Sequence, residues 1–73
     1  MSADETLGGD LLVGAAEIAQ FLFNDPKKRR RVYHLVEHSK LPVFWLGKII
    51  CGRKSTLRGF IVDQERQAMR KVR

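Results

Sequence analysis

The sequence predicts a small, mostly helical domain with a single β-hairpin, in the order helix, turn, helix, hairpin, helix. Apolar residues recur at helical spacing in three segments, and two β-prone runs flank a glycine between the second and third segments. A chain of 73 residues forms one domain at most, with a modest core. The helices must therefore bury their apolar faces against each other and against the hairpin.

The two ends of the chain are predicted to lie outside this domain. Residues 1–10 are small and polar and include Gly8 and Gly9, which indicates a flexible N-terminal arm. The folded domain is expected over residues 11–66. A basic C-terminal tail then occupies residues 67–73, and we expect the chain to fray from Arg66 onwards.

The first helix is predicted within residues 13–23. Ala15, Ile18, Ala19 and Leu22 follow the spacing i, i+3, i+4, i+7, which places them on one helix face. The two alanines leave room for a second helix to approach closely.

The second helix is predicted over residues 26–38, with Asp25 as N-cap and Pro26 in the first helical position. Positive charges crowd its first turns, where they oppose the helix dipole. This local penalty suggests that something other than helix stability selects those residues. The buried stripe of this helix is expected to consist of Val32, Tyr33, Leu35 and Val36.

A hairpin is predicted over residues 42–52, with Gly47 near its tip. Strand alternation places Phe44 and Trp45 on opposite faces. An exposed Trp45 could stack on the bases of single-stranded nucleic acid, but a lone Trp in such a strand is more often part of the core. We therefore expect at least one of these two aromatic residues to be buried.

The last helix is predicted to begin after Ser55, which is its expected N-cap. Leu57, Phe60 and Ile61 form its apolar face.

The charge of the chain is divided unevenly along its length. Residues 1–26 contain five acidic side chains and no Lys or Arg, whereas residues 27–73 contain all 14 Lys and Arg residues and three acidic ones. Such a basic segment suits a polyanion, because each phosphate that it neutralises releases condensed counterions. Composition therefore favours nucleic acid as the partner, ahead of a membrane surface or an acidic protein.

Cysteine content and hydropathy restrict the class of protein further. Cys51 is the only cysteine, which excludes an intramolecular disulfide and a cysteine-rich zinc site. The sequence begins without the apolar run of a signal peptide, and no apolar stretch approaches the roughly 20 residues of a membrane span. We therefore expect a cytoplasmic, nucleoid-associated protein without a membrane partner.

Four stretches together resemble a known group of DNA-binding proteins. They are residues 16–22 (AEIAQFL), 31–37 (RVYHLVE), 41–47 (LPVFWLG) and 53–57 (RKSTL). In this order they resemble the MerR-type winged helix-turn-helix fold in its smallest, single-domain form. AlpA-like excisionases of phages and mobile elements, small MerR-like regulators and the DNA-binding domains of some small terminase subunits share that bacterial and phage fold. The resemblance covers roughly residues 11–65.

This resemblance implies that the second helix is presented to the major groove, where Arg and Lys can donate to guanine. The hairpin, or wing, reaches flanking backbone or minor groove, where basic side chains suit the negative potential. Tyr33 is expected either in the core or against a phosphate. The candidate DNA-binding residues are Lys27, Lys28, Arg30, Arg31, Tyr33, His34, Lys48, Arg53 and Lys54.

Catalytic and metal chemistry find little support in the sequence. His34 and His38 have the i, i+4 spacing of a metal pair, but no third ligand is evident nearby. Cys51 lacks a recognisable partner base, and there is no Gly-rich phosphate loop or paired-carboxylate site. We therefore expect a protein that is not an enzyme and that needs no metal, cofactor or small-molecule effector.

The function expected from these observations is sequence-specific binding of double-stranded DNA, with transcriptional regulation as the first expectation. An excisionase (a recombination directionality factor) or a small terminase-like DNA-packaging module would use the same residues. RNA binding or protein interaction is the alternative of another class. Because one recognition helix covers few base pairs, a homodimer or a cooperative array on DNA is expected.

Overall fold

A computed structural model describes residues 7–71 of the chain. The elements follow the order α1 (Leu7–Asp10), β1 (Leu11–Val13), α2 (Ala15–Phe23), α3 (Arg29–His38), β2 (Val43–Leu46), β3 (Ile49–Arg53) and α4 (Lys54–Lys71). The predicted class, mostly helical with an antiparallel hairpin, is confirmed. The short helix α1 and the strand β1 were not predicted.

The sheet is antiparallel and has the strand order β1-β3-β2. Gly52 in the central strand pairs with Leu12 on one side and with Val43 on the other. The predicted hairpin therefore forms two of the three strands of the sheet. Residues 11–13 form the other edge strand of the sheet. From the sequence, these residues were predicted only to begin the domain, and no strand was predicted there.

The hairpin loop has two residues, Gly47 and Lys48, because Leu46 still pairs with Ile49. Gly47 has a φ of 64°, in the left-handed region that favours glycine. The prediction that Gly47 lies at the tip is confirmed. Leu46 is the last residue of β2.

The core lies where α2 meets the sheet and the other two long helices. Ile18 of α2, Val32 of α3, Ile50 of β3 and Leu57 of α4 are buried there together. Ala15 and Ala19 are buried and Leu22 packs against the cluster at its edge, so the predicted apolar face of α2 is confirmed.

The first residues of the domain are more ordered than the predicted arm. Residues 1–6 of that arm lie outside the described part of the chain, but Leu7–Asp10 is helical and the Asp10 carboxylate is only 2% exposed. Its Oδ1 accepts a hydrogen bond from the Ser55 backbone N–H at 2.9 Å. Asp10 therefore belongs to the folded domain, and it binds a backbone donor at the start of α4.

The second helix starts later than predicted. It begins at Arg29, so residues 26–28 form a turn. Asp25 is not the N-cap: its Oδ1 accepts from the Lys27 N–H, which is a local turn contact. Asn24 ends α2 in the left-handed conformation, with a φ of 57°, and its N–H donates to the Gln20 carbonyl. The sharp reversal at Asn24 lengthens the connection and delays α3.

The last helix differs from its prediction at both ends. It begins at Lys54, so Ser55 lies inside it and is not its N-cap; the remote Asp10 side chain takes a capping role instead. It remains helical to Lys71, whereas fraying was expected from Arg66 onwards. Within residues 7–71, no helix combines the length and apolar character that crossing a bilayer requires.

Candidate nucleic-acid interface

The exposed face of α3 carries the densest group of predicted contact residues. Val32 anchors the helix in the core. Arg30 and His34 lie two residues before and after it, which places both about 160° from Val32 on the helix circumference. Both side chains are exposed. The helix therefore presents a cation and an imidazole on the side turned away from the core.

The N-terminal turn of α3 concentrates positive charge without internal compensation. Its first three residues are Arg29, Arg30 and Arg31, and it contains no acidic residue. Within the described chain, no side chain caps its first N–H groups; the N-cap position is held by Lys28. Helix N-termini carry a partial positive charge and free donors, so this end suits an anion.

Arg31 differs from its neighbours because it contacts the first helix of the pair. Its guanidinium carbon lies 5.8 Å from the centre of the Phe23 ring, which is a cation–π distance. Tyr33 is exposed, so of its two predicted positions it does not occupy the core.

Lys27 and Lys28 lie in the turn between α2 and α3, not on the predicted helix. Lys27 is exposed and Lys28 is half-buried. Their side chains leave the turn next to the N-terminus of α3. A position of this kind is suited to the backbone of a nucleic acid more than to its base edges.

Both aromatic residues of the hairpin are exposed, which contradicts the expectation that one of them is buried. Trp45 is 53% exposed and Phe44 is 39% exposed. Only the first residue of β2, Val43, packs against the core. β2 is an edge strand of the sheet, and its side chains after Val43 lie outside the buried cluster. Lys48 is exposed in the loop itself.

Arg53 forms an ion pair within the protein while its side chain stays 50% exposed, so its assignment to DNA contact stays a prediction. Its Nε donates to Asp10 Oδ2 at 2.9 Å, and the Ser55 hydroxyl donates to the same oxygen at 2.7 Å. The Ser55 hydroxyl, its backbone N–H and the guanidinium lower the pKa of Asp10, although burial opposes the shift. Lys54 is half-buried at the first residue of α4. The contacts of Asp10 with Arg53 and Ser55 at the base of the hairpin therefore stabilise the fold.

The histidine pair on α3 does not form part of a metal-ligand group. The rings of His34 and His38 lie 4.3 Å apart, in a tilted stack. Among residues 7–71, no three His, Cys, Asp or Glu side chains are placed to hold a metal ion. Cys51 is buried, and its thiol donates to the Ile49 carbonyl at 3.7 Å.

Two groups of candidate residues were missed from the sequence. Arg29 is exposed at the start of α3, and the unbroken basic run should have included it. Leu46 and Ile49 are exposed on either side of the hairpin loop. They form the last pair before the loop, and nothing in their apolar character signals this exposure.

Comparison with protein families, with curated proteins and with solved structures finds no match for this chain. The MerR-like and AlpA-like resemblance therefore stays a prediction.

Proposed function

We propose that the chain is a winged helix-turn-helix protein that binds double-stranded DNA in a sequence-specific way and regulates transcription. In this proposal α3 enters the major groove, and the β2–β3 hairpin contacts the flanking backbone or minor groove. Such a protein works on the nucleoid in the cytoplasm.

The observation that carries the proposal is the uncompensated N-terminus of α3. Three consecutive arginines stand at the positive end of a ten-residue helix with no acidic residue in its first turn. This arrangement opposes helix stability in the free protein. A phosphate backbone beside that turn would reverse the penalty, because it supplies the missing negative charge and accepts from N–H groups that no side chain caps.

The connection between α3 and the hairpin fits a contact with two neighbouring grooves. Residues 39–42 separate the two elements. The five Cα steps from His38 to Val43 span at most about 18 Å. Adjacent grooves on one face of a duplex are separated by half a helical turn, about 17 Å. Both elements can therefore contact one site without a long linker.

The positions of the basic residues suggest different roles. Arg30 and His34, on the outer face of α3, are assigned to base edges, where Arg donates to guanine O6 and N7. Lys27 and Lys28 in the turn, and Lys48 in the hairpin loop, are assigned to phosphates, which fix the orientation on the duplex. Arg31 is exposed and stays a candidate contact residue, and it also packs on the Phe23 ring.

A competition experiment tests this function. A duplex obtained by selection from random DNA should outcompete RNA of equal length at moderate salt. The double variant Arg30→Glu/Arg31→Glu should lose duplex binding and stay folded by circular dichroism. The matched control is Arg66→Glu/Arg70→Glu, which makes the same charge change on exposed positions of α4 and should still bind. Normal binding by the α3 variant would contradict the proposal.

Pairing of protomers is part of the proposal, since one recognition helix covers few base pairs. Cooperative binding to direct repeats, in place of a palindrome, would assign the chain to the excisionase or packaging alternative. Preference for RNA in the competition would assign it to the other class of nucleic-acid-binding module.

A further inference from the structure

We propose that the tip of the β2–β3 hairpin is an apolar wedge that enters the minor groove beside the site of α3, opens a base step and bends the duplex. The tip is defined here as Trp45, Leu46, Lys48 and Ile49, with the loop glycine. This inference rests on the proposed function and adds to it a specific contact and a change in DNA shape.

The first support is the exposure of three large apolar side chains at one end of the sheet. Trp45 is 53% exposed, Leu46 is 54% exposed and Ile49 is 50% exposed. Val43, at the other end of β2, packs against the core. β2 thus passes from half-buried at Val43 to exposed at Leu46 while its composition stays apolar, although exposing such side chains to water is unfavourable.

The second support is the rigidity of the tip. Leu46 and Ile49 pair directly across a two-residue loop, and Trp45 pairs with Ile50, which is buried. Paired residues of an antiparallel ladder share a face, so Trp45 lies on the core side and the Leu46–Ile49 pair on the other. A tip held by strand pairing loses little conformational entropy when it is inserted, so insertion is favoured.

The third support is the charge around the tip, which points to a duplex in preference to a protein. Lys48 lies in the loop between the exposed apolar residues. Residues 38–62, which contain the whole hairpin, include five Lys and Arg side chains and no Asp or Glu. The hairpin can therefore approach a phosphate backbone without repulsion from its own segment. A wing that only neutralised phosphates would need the cations and not the apolar side chains.

Insertion of apolar side chains between base steps is a known way of kinking DNA from the minor groove. Leu46 and Ile49 have the shape of such wedges, and the indole of Trp45 can stack on an unstacked base. The extra contact made by the bent duplex compensates the cost of unstacking. A flexible step in the flank, such as TA or CA, is therefore the expected place of insertion.

The test uses a selected duplex with dyes at its two ends, so that energy transfer reports bending, and with 2-aminopurine in the flanking steps, so that fluorescence reports unstacking. The wild type should shorten the distance between the ends and raise the 2-aminopurine signal. Trp45→Ala should lose most of both changes, while its affinity falls by no more than about tenfold. The matched control, Val13→Ala, removes an exposed apolar side chain from the edge strand β1 and should behave as the wild type.

Trp45→Lys separates a wedge from a cationic clamp. If the hairpin only neutralises phosphates, the added positive charge should strengthen binding and preserve the bend. The wedge requires that Trp45→Lys lose the bend although the charge increases. A bent complex with Trp45→Lys overturns the proposal.

Trp45 is the only tryptophan, so its own fluorescence reports its environment. It should be accessible to acrylamide in the free protein and protected in the duplex complex. Protection already in the free protein, together with a dimer by sedimentation that Trp45→Ala dissociates, would assign the tip to a contact between two copies and overturn the wedge. Continued accessibility in the complex would also overturn it.

The outcomes distinguish this inference from the proposed function. If the wild type binds no duplex, both fall. If it binds but Trp45→Ala bends the duplex equally, only the wedge falls. If Arg30→Glu/Arg31→Glu still binds the duplex and the bend still needs Trp45, the assignment of α3 to the major groove is wrong. The wedge proposal is then retained.

Discussion

Arg30 and Arg31 are neighbours in sequence, yet the structure gives them different surroundings. Arg31 lies over the Phe23 ring of α2, whereas Arg30 projects from the opposite side of Val32. Sequence reasoning could identify the basic run but could not separate its members, because that separation depends on which face of α3 meets α2.

Alanine substitution should separate the two residues. Arg30→Ala is expected to weaken duplex binding by about 1–3 kcal/mol and to leave the free energy of unfolding unchanged. Arg31→Ala is expected to lower that free energy by about 0.5–1 kcal/mol, since the cation–π contact is lost. Urea denaturation and anisotropy titration measure the two effects. Equal stability of both variants would argue against a packing role for Arg31.

Asp10 connects the beginning of the domain to the start of α4 through Arg53 and Ser55. Its pKa is lowered, chiefly by the Ser55 hydroxyl, so its carboxylate stabilises the fold at neutral pH. The sign follows from linkage: protons bind more tightly to the unfolded chain, so this contribution disappears as pH falls through the lowered pKa of the folded state.

Asp10→Asn should therefore lower the melting temperature at neutral pH and flatten its acid dependence. Thermal denaturation followed between neutral pH and about pH 3 measures both effects. Asp63→Asn is the matched control, because Asp63 is exposed on α4 and accepts only a local bond from Gln67. An acid dependence that is the same in Asp10→Asn and in the wild type would contradict the role of this carboxylate.

The turn between α2 and α3 sets the angle between these two helices. α3 is the helix proposed to enter the major groove. Asn24 is the only non-glycine residue of the turn with positive φ, and its side chain accepts from Gln20 Nε2 at 3.0 Å. Asn24→Gly loses this bond and keeps the backbone conformation available. Asn24→Ala loses the same bond and adds the cost of a left-handed residue.

We therefore expect Asn24→Ala to be less stable than Asn24→Gly by about 1 kcal/mol. Comparing these two variants, rather than either with the wild type, cancels the lost Gln20 contact. Denaturant unfolding measures the difference. An alanine variant as stable as the glycine variant would show that the turn does not require the left-handed conformation in solution.

The elements that could be predicted from the sequence are those formed by local pattern. The face of α2 follows from Ala15, Ile18 and Ala19, and the hairpin follows from two β-prone runs around Gly47. Strand β1 could not be predicted, since it has three residues and its pairing partner lies about 40 residues later in the chain.

The same limit applies to the candidate site. The basic run at the start of α3 is evident in the sequence, so Arg30 and Arg31 were predicted before the fold was known, although Arg29 was missed. The ion pair of Arg53 with Asp10 joins positions 43 residues apart, and no local pattern indicates it. Trp45 is exposed in β2, an edge strand, and the order of strands in the sheet is likewise a property of the tertiary structure.

At the scale of the whole molecule, a small core holds the elements together and the charge is distributed unevenly outside it. Buried apolar residues such as Ile18 and Leu57 hold α2, α3, α4 and the sheet together. The basic residues of the hairpin and α3 lie outside that core, and only Arg53 among them forms an ion pair with a buried carboxylate. In the described part of the chain, the surface charge is therefore available to a polyanion, which is the central claim.

The salt dependence of duplex binding tests that claim most directly. Anisotropy titrations between about 50 and 200 mM salt give the slope of the logarithm of Kd against the logarithm of salt concentration. The account predicts a steep slope for the wild type and a slope smaller by about 0.9 for Lys48→Ala, since one phosphate contact is lost. A shallow wild-type slope, unchanged in Lys48→Ala, would contradict it.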